Sequence, residues 1–392
     1  MTTAPGALRA AVQRSIRAGR APDEETITAI ADEHTSTLGQ EGRSQAAADL
    51  AARLVGLGPL GALVAGSDVT DVLVNGDGTV WVDRGSGVER TGVVVSGGEL
   101  RALAVRLAGT AGRRLDDAQP WVDGVLPGGI RLHALLPPLA EGGAHVSLRI
   151  ARRRVGGLAA LEADGSVESA MAEVLRGLVS ARATVVVTGG TGAGKTTVLA
   201  AMLSECPAHE RIVVVEDVRE LAPDHPHVVR LQGREANVEG AGAVPLTVLV
   251  RQALRMRPDR LVVGEVRGAE VLDLLAALNT GHEGGASTLH ANGPAELPAR
   301  FEALGALAGM SRAAVHSQLR GAVHAVVHVA RGTDGVRRVE RVGIVTPGTG
   351  RGPVRVVTAI DASGGSVSEG PAAPDLAALL AGGRGSARAP VP

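Results

Sequence analysis

The stretch GGTGAGKTT, residues 189–197, decides how this chain is read. It meets the pattern G-x-x-x-x-G-K-[ST] at Gly189, Gly194, Lys195 and Thr196. Among the 40 basic residues of the 392-residue chain, Lys195 is the only lysine and all the others are arginine. Lysine is a point charge on a thin stem, whereas arginine carries a broad planar fork. A tight phosphate-binding turn has room for the first and not the second. The apolar run ahead of the loop, Ala183 to Thr188, reads as a short buried strand, and TTVLAAMLSE behind it reads as a helix. Strand, loop and helix in that order are the context the pattern requires. Glycines let successive backbone N–H groups turn inward, and the helix adds the positive end of its dipole. Gly189, Gly190, Thr191, Gly192, Ala193, Gly194, Lys195, Thr196 and Thr197 are therefore the candidate nucleotide-binding residues. Within them Lys195 is placed to reach the β- and γ-phosphates, and the Thr196 hydroxyl to hold Mg²⁺.

Beyond the loop, apolar strands alternate with helical spacing. RIVVVED (211–217), HVVRLQ (227–232) and RLVVGEV (260–266) read as strands. Leu246 to Met256 and Glu270 to Leu278 read as helices. Alternation of this kind predicts a mostly parallel sheet flanked by helices. Glu216 and Asp217 end one strand and Glu265 ends another. Carboxylates at the carboxyl ends of parallel strands share an edge with the phosphate loop, where Glu216 and Glu265 can hold Mg²⁺ and polarise water. Arginines crowd the same region at Arg230, Arg234, Arg251, Arg255, Arg257, Arg260 and Arg267. One or two of them are expected on the transferring phosphate, since such an arginine raises phosphoryl-transfer rates by roughly 10³–10⁵. NTGHEGGASTLHAN carries His282 and His290, whose spacing suits no metal site. It reads as a loop that could sense the γ-phosphate.

Upstream, DVTDVLVNGDGTVWVDRGSGVERTGVVV alternates apolar and polar residues around Asn-Gly-Asp-Gly. That predicts strands near 71–75, 79–83 and 91–95. A helix at Glu99 to Gly109 and two strands around Pro137 and Pro138 complete an antiparallel α+β domain. The expected division is a helical extension over 1–55, the α+β domain over 56–151 and a linker over 152–165. A RecA-like P-loop domain over 166–345 follows, then a Gly-, Ala- and Pro-rich segment over 346–392. That last segment is expected to be largely disordered, with one short helix in PDLAALLAGG.

Composition limits the rest. The formal net charge is −1, and no basic–aromatic interleaving points to nucleic acid. One cysteine, Cys206, allows no internal disulfide. No secretory leader and no spanning apolar run is read, which predicts a cytoplasmic protein reaching membranes through partners. No base-reading [NT]-K-x-D string is present, which argues against GTP.

Four strings in order give the chain its resemblance. GGTGAGKTT is similar to a Walker A loop, VVVEDVREL to an aspartate box, ALRMRPDRLVVGEVRG to an atypical Walker B ending in Glu, and NTGHEGGASTLHANGP to a histidine box. TDVLVNG, RLHALLPP and SLR resemble the matching N-terminal domain. Together, over roughly residues 60–345, they resemble the secretion ATPases of the type II/type IV superfamily, in particular its CpaF-like, tight-adherence pilus branch. The resemblance implies ATP and Mg²⁺ at Lys195 and Thr196, with Glu216 and Glu265 sharing metal coordination and water activation. It implies that His290 reports nucleotide state, and that phosphate-contacting arginines come from Arg230, Arg234, Arg255 and Arg257. Arg131 and Arg149 of the N-terminal domain match positions that close over the nucleotide. A homohexameric ring docked on cytoplasmic faces of inner-membrane platform proteins is implied as well. The expected function is ATP hydrolysis that powers pilus assembly or protein secretion. A DNA-transfer ATPase and a non-hydrolysing nucleotide switch stand as alternatives.

Overall fold

The computed structural model describes residues 56–66, 68–85, 87–150, 156–234, 236, 241–281, 283–332, 334–348 and 352–382. The helical extension expected over 1–55, His282 and the final residues lie outside these. The chain divides into two compact units, Met1–Arg152 and Arg153–Pro392.

Among its described residues the first unit is a six-stranded antiparallel sheet with one long helix. Its strands are β1 (Asp71–Val74), β2 (Thr79–Asp83), β3 (Val88–Val94), β4 (Trp121–Leu126), β5 (Ile130–Leu135) and β6 (His145–Arg149), in the order β3-β2-β1-β6-β5-β4. A one-turn helix α1 (Gly61–Val64) precedes them. The β1–β2 turn closes on Gly78 N–H donating to the Asn75 carbonyl, as the Asn-Gly-Asp-Gly string requires. Alternate residues Val72, Val74, Val80 and Val82 face inward. Helix α2 (Gly97–Thr110) covers them with Leu100, Leu103, Ala104, Leu107 and Ala108, one stripe at helical spacing. Each buried Val or Leu side chain stabilises by ~1.5–3 kcal/mol. Strand β4 was not expected, because WVDGVL breaks its alternation at Gly124. That glycine leaves room for Ala111, whose methyl would lie 2.7 Å from an added Cβ.

Among its described residues the second unit carries nine strands: β7 (Val185–Gly189), β8 (Ile212–Glu216), β9 (Val228–Gln232), β10 (Arg260–Val263), β11 (Ala286–His290), β12 (Ala325–Arg331), β13 (Arg337–Thr346), β14 (Arg355–Asp361) and β15 (Ser368–Glu369). Their order is β15-β14-β13-β12-β7-β11-β10-β8-β9. From β12 to β9 every pairing is parallel, and β13 to β15 add antiparallel strands at one side. Successive residues of the parallel strands feed opposite cores. Val185 and Val187 pack with helices α3 (Leu158–Ala163), α4 (Ser169–Ser180), α5 (Lys195–Ser204) and α10 (Ala373–Ala381). Val186, Val213 and Val215 pack with α6 (Leu246–Ala253), α7 (Glu270–Asn279), α8 (Leu297–Leu307) and α9 (Arg312–Ala322). Valine-rich runs buried on both faces are what a parallel sheet demands.

Three expectations need correction. The linker over 152–165 contains α3, whose Leu158 and Leu161 are buried against the sheet's helices. The segment after 345, expected to be largely disordered apart from one short helix, supplies β14 and β15 as well as that helix, α10, to the same unit, with Ala359, Ile360, Ala372 and Leu376 in its core. Its glycines and prolines mark turns between short elements rather than a solvated tail. The histidine-bearing segment read as a loop supplies β11, a central strand. Ser287 and Thr288 disguise it, yet both are buried, and the Thr288 hydroxyl donates to the Gly264 carbonyl at 2.6 Å.

Candidate active site

The phosphate loop joins β7 to α5 at the carboxyl edge of the parallel strands. Gly194 starts the helix at φ +99°, a conformation that excludes an ordinary side chain. Lys195 is 9 % exposed, and its Nζ donates to the carbonyls of Gly189 (3.1 Å) and Gly190 (2.9 Å). An ammonium has three donors, so one remains for a ligand. Burial pushes the Lys195 amine below its ordinary value, while the carboxylates of Glu265 and Glu220 oppose that shift and Arg267 adds to it. Charges of both signs thus converge on this ammonium. The Thr196 and Thr197 side chains are half-buried beside it.

Glu216, at the end of β8, is buried. Its Oε1 accepts from the N–H groups of Glu220 (3.0 Å) and Leu221 (2.9 Å), which fix the carboxylate in place. Its Oε2 is buried with no hydrogen-bond partner. Such an atom costs about 1–3 kcal/mol unless a ligand satisfies it. Burial pushes the Glu216 carboxyl above the usual carboxylate range; the Leu221 and Glu220 N–H groups and the Arg230 guanidinium pull the other way. Gly264 makes room for it, since a Cβ there would lie 2.5 Å from Glu216 Cγ. Glu265 follows β10, the neighbouring strand, and pairs with Arg267. The Arg267 and Gly268 N–H groups donate to Glu270 Oε1 at 2.6 and 2.8 Å, so α7's first residue shapes that turn.

His290 ends β11 directly beside Gly189 in the sheet register. Arg230 lies on β9, and Arg234 lies just past its end, donating to the Gly242 carbonyl at 2.6 Å. Arg255 and Arg257 are brought elsewhere. They precede β10, at the amino edge of the sheet, with the length of the strand between them and Glu265. Arg131 on β5 and Arg149 on β6 belong to the first unit, where they face each other in register. Arg149 Nε also donates to Asp71 Oδ1 (3.1 Å).

Sequence reasoning named Lys195, Thr196, Glu216, Glu265 and His290, and the fold sets all of them along one sheet edge. It passed over the roles of Arg267 and Glu270. The string R-G-x-E ahead of a helix was the available signal, because a carboxylate there can accept the free N–H groups of the helix entry. The residues present suit Mg²⁺. Among the described residues no cluster of three His, Cys, Asp or Glu side chains forms a metal cage. Mg²⁺ is commonly held by one or two protein oxygens with phosphates and water completing the shell, and the unpartnered Glu216 Oε2 is an oxygen of that kind.

Residues 54–342 match the family described as type II/IV secretion system protein. A putative conjugal transfer protein of Mycobacterium tuberculosis is 54% identical over 334 residues, covering 83% of this chain and 94% of that protein. The conjugal transfer protein TrbB of Rhizobium radiobacter is 33% identical, covering 70% and 83%. The X-ray structure of the Legionella pneumophila ATPase DotB superposes with a TM-score of 0.51 at 20% identity, over 70% of this chain and 76% of that one, a likeness of fold. The chain therefore belongs to the type II/IV secretion system protein family.

Proposed function

We propose that this protein hydrolyses ATP with Mg²⁺ and spends the turnover on moving a macromolecule through a cell envelope, as in pilus assembly or protein secretion. The observation that carries the reading is the pairing of two buried groups along one sheet edge. Lys195 keeps a spare donor, and Glu216 keeps an unpartnered oxygen. Thr196, Glu216 and Glu265 would hold Mg²⁺, which supplies charge neutralisation on the phosphates. Lys195 steadies the terminal phosphates. Glu216 and Glu265 orient the attacking water and accept its proton, and His290 abuts the loop where the γ-phosphate lies.

Arg255 and Arg257 sit at the far edge of their own sheet. A role for them on the nucleotide therefore requires a neighbouring copy, which supports a ring, by family likeness a homohexamer. Arg131 and Arg149 lie side by side in register on adjacent strands, and Arg149 also pairs with Asp71. Closing over the nucleotide is the role proposed for them. No helix among the described residues is long and apolar enough to cross a membrane, so a membrane platform protein is the proposed recipient of the motion.

DNA transfer is a second reading, favoured by the names of the two relatives above. Salt-sensitive, DNA-stimulated hydrolysis would select it. The primary test is Mg²⁺-dependent ATP hydrolysis by wild type, Lys195→Ala and Glu265→Gln. Equal turnover in all three refutes the assignment. Size-exclusion with and without ATP tests the ring.

A further inference from the structure

Four polar side chains line up across the sheet where β7 runs into the phosphate loop. Asp361 of β14 stands opposite Arg341 of β13, Arg341 opposite His328 of β12, and His328 opposite Thr188 of β7. Side chains directly opposite one another share a face and touch. Arg341 Nε donates to Asp361 Oδ2 at 3.0 Å, and its Nη2 donates to Ser363 Oγ at 3.2 Å. The row is partly exposed at Asp361 and Arg341 and buried at His328 and Thr188. Thr188 is followed by Gly189, whose carbonyl accepts from Lys195.

The inner contact joins Thr188 Oγ1 to His328 Nδ1 at 3.0 Å. Burial first, and then Arg341, push the imidazole below its ordinary 6.5, while Glu296 opposes them. A neutral ring has one accepting nitrogen. The hydroxyl's other acceptor, the Val327 carbonyl, is at 3.5 Å, so the Thr188 O–H donates to Nδ1 and Nε2 carries the ring's hydrogen. The groups that face the ring are Thr188 on β7, Arg341 on β13 and Glu296 in the turn that enters α8. Behind them, Asp361 of β14 binds Arg341, and Arg300 of α8 faces Glu296. Glu296 also accepts from the Asn292 N–H at 2.9 Å, two residues past His290.

The preceding pair on the same face, Val186 and Val326, is apolar. Polar groups at the next position must satisfy each other, since a buried one left alone costs about 1–3 kcal/mol. What the polar pair adds is direction. A hydrogen bond fixes the Thr188 rotamer, and with it the last peptide of β7 before the loop, where two valines would only fill space.

We infer that His328 is a positioning residue for the phosphate loop: its ring holds the Thr188 hydroxyl, and through it the Gly189 carbonyl on which Lys195 rests. The inference rests on the nucleotide reading above and adds a buried residue behind the loop. Protonation gives Nδ1 a hydrogen of its own. The hydroxyl must then turn its proton to the distant Val327 carbonyl, and the loop loses its support. Turnover therefore falls as pH drops through the lowered value of His328.

The test is Mg²⁺-dependent ATP hydrolysis by the full chain from about pH 5 to pH 8, with chemical denaturation of each variant alongside. His328→Leu is expected to lower kcat by about 10–10²-fold and to change KM for ATP far less, since a displaced loop misplaces the reacting phosphate. His328→Asn puts an amide oxygen where Nδ1 stood, so it is expected to restore most of kcat and to lose the ring's share of the acid limb. Glu216 titrates in wild type and variant alike, so the difference between their profiles isolates the ring. Thr188→Val is expected to lower kcat as His328→Leu does, and the double variant no further. Should His328→Leu fail to fold, Thr188→Val and His328→Asn carry the test. A purely structural pair would lower the denaturation midpoint and leave kcat and the pH profile in place, which overturns the inference. So does a loss of kcat that asparagine does not restore, or the same acid limb in wild type and His328→Asn. In each case a wild type that hydrolyses ATP leaves the nucleotide reading standing. A wild type that neither binds nor hydrolyses ATP overturns that reading, and the role of His328 with it.

Discussion

Strand β8 has a buried glutamate near each end, and the two are treated in opposite ways. Glu210, just before the strand, is saturated. Its Oε2 accepts from Arg260 Nε at 2.5 Å, and its Oε1 pairs with Arg182. Arg260 in turn donates to the Val179 carbonyl at 2.9 Å, and Arg182 to the Asp259 carbonyl at 2.8 Å. Glu216, at the strand's other end, has one oxygen pinned by two N–H groups and the other left without a partner. Similar burial and the same residue type serve two purposes. The amino edge of the sheet neutralises its charges internally and holds the fold. The carboxyl edge keeps polar capacity unspent, which is useful only where a ligand arrives.

The comparison can be broken first at the saturated end. Arg260→Met should cost about 3–5 kcal/mol, because it unmakes a buried ion pair. Chemical denaturation measures this, and a cost below ~1 kcal/mol would mean the amino-edge network holds nothing. At the other edge, Lys195→Ala should lower kcat by roughly 10²–10³-fold while the denaturation midpoint barely moves. A large stability loss instead would make this lysine structural. Glu216→Gln should lower turnover by about 10²-fold and leave stability level or raised, since it removes a charge whose burial is unfavourable. Stability loss comparable to that of Arg260→Met would erase the distinction between the two glutamates.

The pH response sharpens the same contrast. Burial raises the folded-state value of Glu216 above its ordinary 4.5, so the folded state holds this proton longer than the unfolded chain does. Its contribution to stability therefore falls as pH rises from about 4.5 through the raised value, and it is constant above that. Glu216→Gln should abolish that slope, read as the wild-type minus variant difference in unfolding free energy across pH. The smallest effect belongs to the surface. Asp334→Asn removes an exposed pair with Arg338, and the melting temperature should not change measurably.

Much of this was legible before any fold was known. Lys195 stood out because a chain built on arginine kept one lysine. Glu216 and Glu265 stood out because apolar runs ended on carboxylates. What escaped reading did so for local reasons. β11 hid behind buried hydroxyls, and Thr288 needs the Gly264 carbonyl to be tolerable inside. β14 and β15 hid behind turn-forming glycines and prolines, whereas the helix α10 was expected in PDLAALLAGG. Arg255 and Arg257 were expected among the phosphate-contacting arginines, ten and eight residues ahead of Glu265 along the chain. A strand lies between, and it carries them to the other edge.

The sequence by itself determined the chemistry at the loop. A nine-residue string dictates the turn, the ammonium and the hydroxyl, because those depend on neighbours within a few bonds. The tertiary structure alone decided which charges share an edge, that Glu210 is saturated while Glu216 is not, and that Arg337 flanks the loop from 143 residues downstream of Gly194. Those facts come from strand order and packing. Residues far apart in the chain meet there because the sheet buries its valines on both faces and leaves its two edges to polar groups.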